Sequence, residues 1–514
     1  MTAAALERSM RPLTGPALFL AAFVLALSNF MAILDQTIAN VSVPHIAGGL
    51  AISPSEGTWV ITSYSVAEAI TVPLTGWLAM RFGAVRVYII AVFCFAVFSA
   101  LCGLAPSLGT LVVCRVLQGL SGGPMMPLSQ SMMLRIFPPE RRAQAMGLWS
   151  MTAVVGPIAG PLLGGAICDN LSWSWIFFVN IPVAGLIFYF AMRLLPRYEL
   201  PTVRKPVDYM GLSLLILWVG AFQIMLDKGE EADWFNSSTI IILGLVAAVG
   251  FASFVIWEIT QKDPIVDLTL FRNRAFATSS LVMVLTYGSF FSAVVLIPLW
   301  LQTSMGYSAG WSGRVMAVQG ILAVLVSPFV AQLVRKTDPR RIVFAGVMVI
   351  VGVLLFRSGL TTGASYMQIA IPQLILGLGM PCFFIGVNTI ALSGISPENT
   401  PSASGMLSFL RTTAGAFAVS LTTTSWSNAA IKAKVNLVGQ VHGQAALELM
   451  QQGGMSVAQA TGSLDQIAQQ QAVMLATNNV FMVLAVLATI SAFSIWLAPK
   501  PENPVGMGGG GGGH

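Results

Sequence analysis

Five charged residues lie inside apolar stretches of this chain: Asp35, Glu68, Arg115, Arg314 and Arg411. A charge in hydrocarbon is expensive unless it faces a bundle interior or a watery cavity, and such residues mark ion pathways, substrate sites or counter-ion pairs by default. Asp35 and Arg115 fall at similar depth on antiparallel segments, so an ion pair is expected. Burial and a neighbouring guanidinium act on a carboxylate in opposite directions, and one balanced between them exchanges a proton near neutral pH. A static pair that only orients two helices is the other reading. Glu68 sits at mid-depth in Tyr64-Ser-Val-Ala-Glu68-Ala-Ile-Thr71. It serves proton transfer, attracts cationic substrates or packs against a hidden polar partner. Asp227 is nearer a surface, either as an interfacial helix end or in a transport role. Arg411 binds a carboxylate, lines a cavity or makes a structural pair. Gln36 and Asn40, following Asp35 on the same segment, join the residues expected in a cavity or a helix pairing.

The elements that must position these groups are membrane helices. Hydrophobic residues make up 56% of the 514 and charged residues 9%, whereas a soluble domain runs near 25% charged. A hydrocarbon core about 30 Å thick needs about 20 apolar residues per helix. Fourteen stretches qualify, near 15–39, 57–79, 85–104, 109–132, 144–168, 174–195, 208–227, 238–259, 277–301, 311–333, 341–360, 366–389, 403–425 and 477–498. The expected class is an all-α integral membrane protein. The first stretch is too long for a cleaved signal peptide, lacks a small-residue cleavage site and carries Asp35.

Lys and Arg collect in short cytoplasmic loops. With the N-terminus inside, that side holds Arg8, Arg11, Arg81, Arg86, Arg135, Arg141, Arg142, Arg193, Arg197, Arg204, Lys205, Lys262, Arg272, Arg274, Arg335, Lys336, Arg340, Arg341 and Lys500, against Lys228, Lys432 and Lys434 outside. Both termini are therefore expected in the cytoplasm. The asymmetry explains the net charge of +6, which is not read as a nucleic-acid signal. The five cysteines, all in or beside spans, read as small packing residues, with no disulfide framework or metal site expected.

The chain repeats itself weakly. Pro73, Arg81 and Arg86 match Pro328, Lys336 and Arg341; Arg115 and Gly119 match Gln373 and Gly377; Gly147 and Ser150 match Gly405 and Ser408. The offset of 255 to 258 residues shifts the spans by an even number and preserves orientation. Two parallel halves related by an axis along the membrane normal characterise major facilitator transporters, whose substrate site lies between the halves near the midplane. The expected domains are a first six-helix bundle over 1–200, an inserted pair over 201–265 and a second bundle over 266–498. The last contains an external loop, 427–476, and precedes a Gly-rich cytoplasmic tail, 499–514.

Several motifs resemble that superfamily. Gly76-Trp-Leu-Ala-Met80-Arg81-Phe-Gly83-Ala-Val-Arg86 resembles its loop signature, although an acidic residue is usual at the position of Met80, which weakens the charge lock expected there. Cys114-Arg115-Val-Leu-Gln118-Gly119 is similar to its arginine motif. Gly156-Pro157-Ile-Ala-Gly160-Pro161-Leu-Leu-Gly164-Gly165 resembles the fifth-helix motif of antiporters. Leu34-Asp35-Gln36-Thr37 through Pro44, and Leu226-Asp227-Lys228-Gly229 followed by Asp233-Trp234-Phe235, are similar to the fourteen-helix drug:proton antiporters and among them to EmrB-type exporters of Gram-negative inner membranes. The resemblance implies export of hydrophobic drugs by alternating access with a proton gradient as energy source and no cofactor. It also implies a tripartite pump with a periplasmic adaptor and an outer-membrane channel, and no enzyme activity.

The small-residue face Gly156, Gly160, Gly164 with Pro157 and Pro161 permits close backbone approach and bending. It is expected to act as a hinge or as plain packing, and the resemblance places it against the other half. The basic loops at Gly76, Arg81, Gly83, Arg86 and at Lys336, Arg340, Arg341 are expected to anchor the protein or to latch the halves through helix-end carbonyls or acids. Residues 427–476 read as a helical hairpin suited to docking the adaptor. There is no Gly-x-x-x-x-Gly-Lys-Ser/Thr phosphate loop, so ATP is not the expected energy source. A symporter of the same fold and a non-transporting membrane scaffold are the rival readings. The antiporter-like motif argues against the first and the buried charges against the second.

Overall fold

A computed structural model describes residues 13–138, 141–199, 201–203, 206–440, 450–452 and 455–500. The expectations for the Gly-rich tail, Arg8, Arg11, Arg204, Lys205 and the tip of the external loop lie outside these residues.

Every expected span falls on a helix or a helix pair. We number them α1 (Gly15–Leu50), α2 (Trp59–Phe82), α3 (Ala84–Gly103), α4 (Leu108–Gly122), α5 (Met125–Ile136), α6 (Arg142–Asn170), α7 (Asn180–Leu194), α8 (Tyr209–Lys228), α9 (Ser238–Thr260), α10 (Arg274–Ser304), α11 (Ala309–Lys336), α12 (Pro339–Arg357), α13 (Tyr366–Ala391), α14 (Thr400–Gln440) and α15 (Val457–Ser494). No strand occurs among the described residues. Ten helices are long and apolar enough to cross a membrane, and an eleventh if the bent α6 is one span. The segments that fall short on their own are α2, the α4–α5 pair, α6 and α14. Three of these carry Glu68, Arg115 and Arg411; α4 and α5 fall short by length, at 15 and 12 residues.

Local chemistry sets the breaks. The expected fourth span is split because Pro124 stands between α4 and α5 and offers no backbone N–H. Gly83, at φ +97° between α2 and α3, takes a conformation that favours glycine. With Pro157 and Pro161 in its interior, α6 bends by 42° between Arg142–Pro157 and Ala159–Asn170.

The sequence repeat reappears as repeated packing. A Cβ on Gly119 would meet the carbonyl oxygen of Tyr64 on α2, and one on Gly377 would meet that of Gln319 on α11; Tyr64 and Gln319 are themselves repeat partners. Between the halves the relation is reciprocal. Gly147 on α6 lies against Ser327 and Ala331 of α11, while Gly405 on α14 lies against Val72 and Thr75 of α2. The inserted helices α8 and α9 pack on one another, and α8 also touches α2 and α14. Trp218 of α8 stands with Phe254 of α9 and Phe409 of α14, ring centroids 6.1 and 5.9 Å away.

The described parts of residues 427–476 are extensions of the last two long helices. α14 and α15 run on past the apolar core, joined by a Lys434–Asp465 ion pair of 2.8 Å and a Trp426–Thr477 hydrogen bond of 2.8 Å.

Candidate substrate and proton site

Asp35 on α1 and Arg115 on α4 meet at 2.7 Å, exposed to 0% and 1%. Asp35 also accepts from Gln118 Nε2 at 3.0 Å and from Asn180 Nδ2 at 2.7 Å. Arg115 donates to the Val60 carbonyl at 3.0 Å and to Gln118 Oε1 at 2.9 Å, and its guanidinium lies 4.2 Å from the centre of the Tyr64 ring. Asn180 donates onward to Ser99 at 3.1 Å. A buried ion pair whose remaining lone pairs and protons are satisfied in this way can persist in a low dielectric. The network ties α1, α2, α3, α4 and α7 together, all in the first half. Its repeat counterparts carry no charge: Arg115 corresponds to Gln373, bonded to the Met316 sulfur at 2.8 Å.

Glu68 is 3% exposed and takes a hydrogen bond from Gln36 Nε2. The hidden polar partner expected for it is Gln36. Both line a cavity of about 130 Å³ between the halves, with Asn40 of α1, Gln223 of α8 and Tyr287 and Phe291 of α10. Arg115 reaches the same wall. One side of the cavity is thus polar and acidic and the other aromatic, a surface for a cationic or neutral amphipathic molecule.

Other expected residues are placed differently. Asp227 is half-buried and accepts from Gln223 at 3.1 Å, but does not line the cavity. Arg411 has no carboxylate within ion-pair distance among the described residues. It donates to the Met126 sulfur and lies 5.6 and 5.7 Å from the ring centres of Trp149 and Tyr287. Arg314 is exposed in the first turns of α11, 4.7 Å from the Trp311 ring centre, because that helix begins at Ala309 and leaves the side chain near its end.

The glycine face of α6 packs within its own half. Cβ atoms at Gly156 and Gly160 would collide with Ile33 and Thr37 of α1, and one at Gly164 would press on Ile38 at 3.1 Å. The contact expected with the other half is made instead by other positions of α6, through Gly147 and through Leu162, which lies beside Gly313. A small-residue face predicts close approach without specifying the helix that approaches.

The latch also differs. Gly76 is held against the backbone of Ser402 in the other half. Gly83 sits on the carboxylate of Glu199, which accepts from the backbone N–H groups of Val85 at 3.0 Å and Arg86 at 2.9 Å. Arg86 therefore engages through its main chain. Arg81 stacks on Trp77 and Phe82 at 5.3 and 5.6 Å. Arg340 pairs with Asp338 at 2.8 Å and with the Ala498 carbonyl at 3.1 Å, inside its own half. Near these basic loops it is the guanidinium of Arg135 that reaches across the halves, donating to the Pro397 carbonyl at 3.2 Å.

At the same basic end lies a cavity of about 500 Å³ bordered by Arg135, Arg142, Arg335, Lys336, Arg341 and Lys500. Asn388, on its wall, bonds to Gln130 at 2.7 Å. That bond and the Met126–Arg411–Tyr287 contacts separate the basic cavity from the central one. Gln130, Asn388, Asn180, Glu199 and Tyr287 were not singled out in the sequence; a neutral amide inside an apolar span was the available signal for the first three.

Two bundles with a polar cavity between them define a major facilitator transporter, and the Major Facilitator Superfamily model matches residues 25–419. The chain belongs to that superfamily. Within it the likeness is to exporters of the EmrB type. The chain is 42% identical to the "Multidrug export protein EmrB" of Escherichia coli K12 over 98% of this chain and 99% of that one. It is 42% identical to the Haemophilus influenzae protein of the same name over 95% and 97%, and 39% identical to the "Fatty acid resistance protein FarB" of Neisseria gonorrhoeae over 98% and 99%. Among solved structures, the human organic anion transporter MFSD10 aligns with a TM-score of 0.57 at 14% identity, covering 92% of this chain and all of that one, a likeness of fold.

Proposed function

We propose that this transporter is a proton-driven antiporter that exports hydrophobic and amphipathic drugs by alternating access. In this reading all fourteen segments span the inner membrane of a Gram-negative bacterium and both termini are cytoplasmic. The observation that carries the reading is the division of labour between two carboxylates. Asp35 is closed off and held by three donors, whereas Glu68 borders the central cavity and is bonded to Gln36.

Glu68 is then the group that meets both drug and proton, and Asp35–Arg115 is the charge pair whose strength depends on how the first half is packed. A proton arriving from outside neutralises a carboxylate and shifts the balance between two conformations; each charge moved through 100 mV contributes about 2.3 kcal/mol. The hairpin of α14 and α15 docks a periplasmic adaptor that passes substrate to an outer-membrane channel. The deciding experiment uses proteoliposomes with an imposed pH gradient and a lipophilic cationic dye. Dye movement against its gradient with counterflow of protons, lost in Glu68→Gln, is expected. Dye movement without proton flux would exclude the coupling.

A further inference from the structure

Along the seam where α6 of the first half meets α11 of the second runs a groove of about 540 Å³. Its lining changes with depth. Arg141, Gln144, Gln332 and Arg335 stand at the basic end; Leu148, Met151 and Pro328 lie further in. From Arg141 to Met151 the helix rises about 15 Å, half of the roughly 30 Å hydrocarbon core and so the depth of one leaflet. The helices beside the groove turn large apolar side chains outward, with Phe19 66%, Leu325 62% and Phe329 71% exposed, a surface suited to acyl chains. Among the described residues no acidic side chain lines the groove, and neither Arg141 nor Arg335 has a carboxylate partner.

We propose that this groove is a binding site for an anionic phospholipid of the surrounding leaflet, its phosphate held between Arg141 and Arg335 and one acyl chain lying against Leu148, Met151 and Pro328. Charge complementarity selects the head group: basic pockets between transmembrane helices on the cytoplasmic side bind anionic lipid heads. Depth selects a bilayer lipid over a compact anion. Because the walls come from different halves, the lipid sits as a wedge in the seam, next to the close approach of Gly147 to Ala331, whose methyl a Cβ on Gly147 would meet at 3.3 Å. Membrane composition thereby acts on the relative position of the two halves.

The test is native mass spectrometry of the full-length protein released from bilayers of phosphatidylglycerol and phosphatidylethanolamine in equal parts. The expected result is one retained phosphatidylglycerol, at least tenfold over phosphatidylethanolamine. R141Q/R335Q should abolish that preference with the thermal unfolding midpoint unchanged, and the groove-filling Leu148→Trp should reduce retention of both lipids. R142Q/K336Q, in the basic cavity, should leave retention as it is. No preference in the natural protein, or wild-type retention in R141Q/R335Q, would overturn the proposal, as would an equal loss in R142Q/K336Q. Bilayers with added laurate separate the source: retention of laurate with no retained phosphatidylglycerol in its absence would assign the groove to a free amphiphile and overturn the bilayer lipid.

Discussion

Gln130 donates a 2.7 Å hydrogen bond to Asn388, and the two residues lie 258 positions apart. That separation is the repeat offset, so equivalent positions of the two halves touch. Equivalent points can meet only near the axis that relates them, and this bond therefore marks the pseudo-twofold axis at the basic end of the molecule.

Breaking that bond should loosen closure at this end. In Asn388→Leu the buried Gln130 amide loses its partner, which costs about 1–3 kcal/mol in the closed arrangement. A cysteine placed at Ser393, on the wall of the basic cavity, in a background lacking the five native cysteines should then react with a maleimide about tenfold faster. An unchanged rate would mean that the pair carries none of the closure.

Asp35→Asn, which keeps the side-chain shape and one acceptor oxygen but removes the titratable charge, should leave an inserted protein that no longer couples export to protons, with Arg115 still held by Val60 and Gln118. Arg115→Ala should be worse. It leaves the Asp35 charge with only Gln118 and Asn180, and removing one partner of a buried pair costs about 3–5 kcal/mol. Dye extrusion read beside the unfolding temperature of each variant separates coupling from folding; full export by Asp35→Asn would remove Asp35 from the mechanism.

On α6, Gly160→Ala should impair turnover more than drug binding. The added methyl meets Thr37 of α1 through both side chain and backbone, and overpacking of this kind costs about 1–3 kcal/mol. Gly165→Ala, with nothing within 4 Å of the new Cβ, is the matched control. Equal behaviour of the two in transport and thermal unfolding would show that the contact with α1 does not limit the cycle.

How much of this was legible beforehand depended on what each residue type signals. Asp35 and Arg115 could be paired in advance because two opposite charges at one depth in hydrocarbon have few other partners. Asn180 and Gln118 complete their shell, yet a neutral amide gives no such compulsion. The glycine motif announced close packing but not that α1 would be the neighbour. For Arg411 a carboxylate, a cavity wall and a structural pairing all stayed open, and it meets a thioether and two rings, since a guanidinium binds aromatic faces as well as carboxylates.

Asp338 offers a pH-dependent check outside the spans. Side-chain hydrogen bonding from Arg340 holds its carboxyl below the usual aspartate range, with a backbone N–H adding to the effect. A lowered folded value means that this contribution is complete above about pH 3.9 and is lost as pH falls through the folded value. Asp338→Ala, which also removes the cap of α12, should lower stability by about 1 kcal/mol at pH 7 and by less near pH 3. A difference that stays constant across that range would dissociate the effect from the carboxylate charge.

Replacing roughly 435–470 by a short Gly/Ser linker should spare dye transport in vesicles, where no partner is present. In intact Gram-negative cells the same change should abolish drug resistance and co-purification with the adaptor. Unchanged resistance together with unchanged co-purification would leave the α14–α15 hairpin as a tolerated insertion.

The inserted pair is fastened at both sides. Lys228 donates to Thr58 at the head of α2, while Ser420 and Thr424 of α14 bond to Leu226 at 2.9 Å and to Trp234 at 2.8 Å. Any swing of one bundle against the other must therefore carry α8 and α9 with one side and strain or release their moorings on the other. The pair behaves as a check-strap on a door: it gives the central cavity only the amide of Gln223, and its slack sets how far the two bundles can part before they are drawn back.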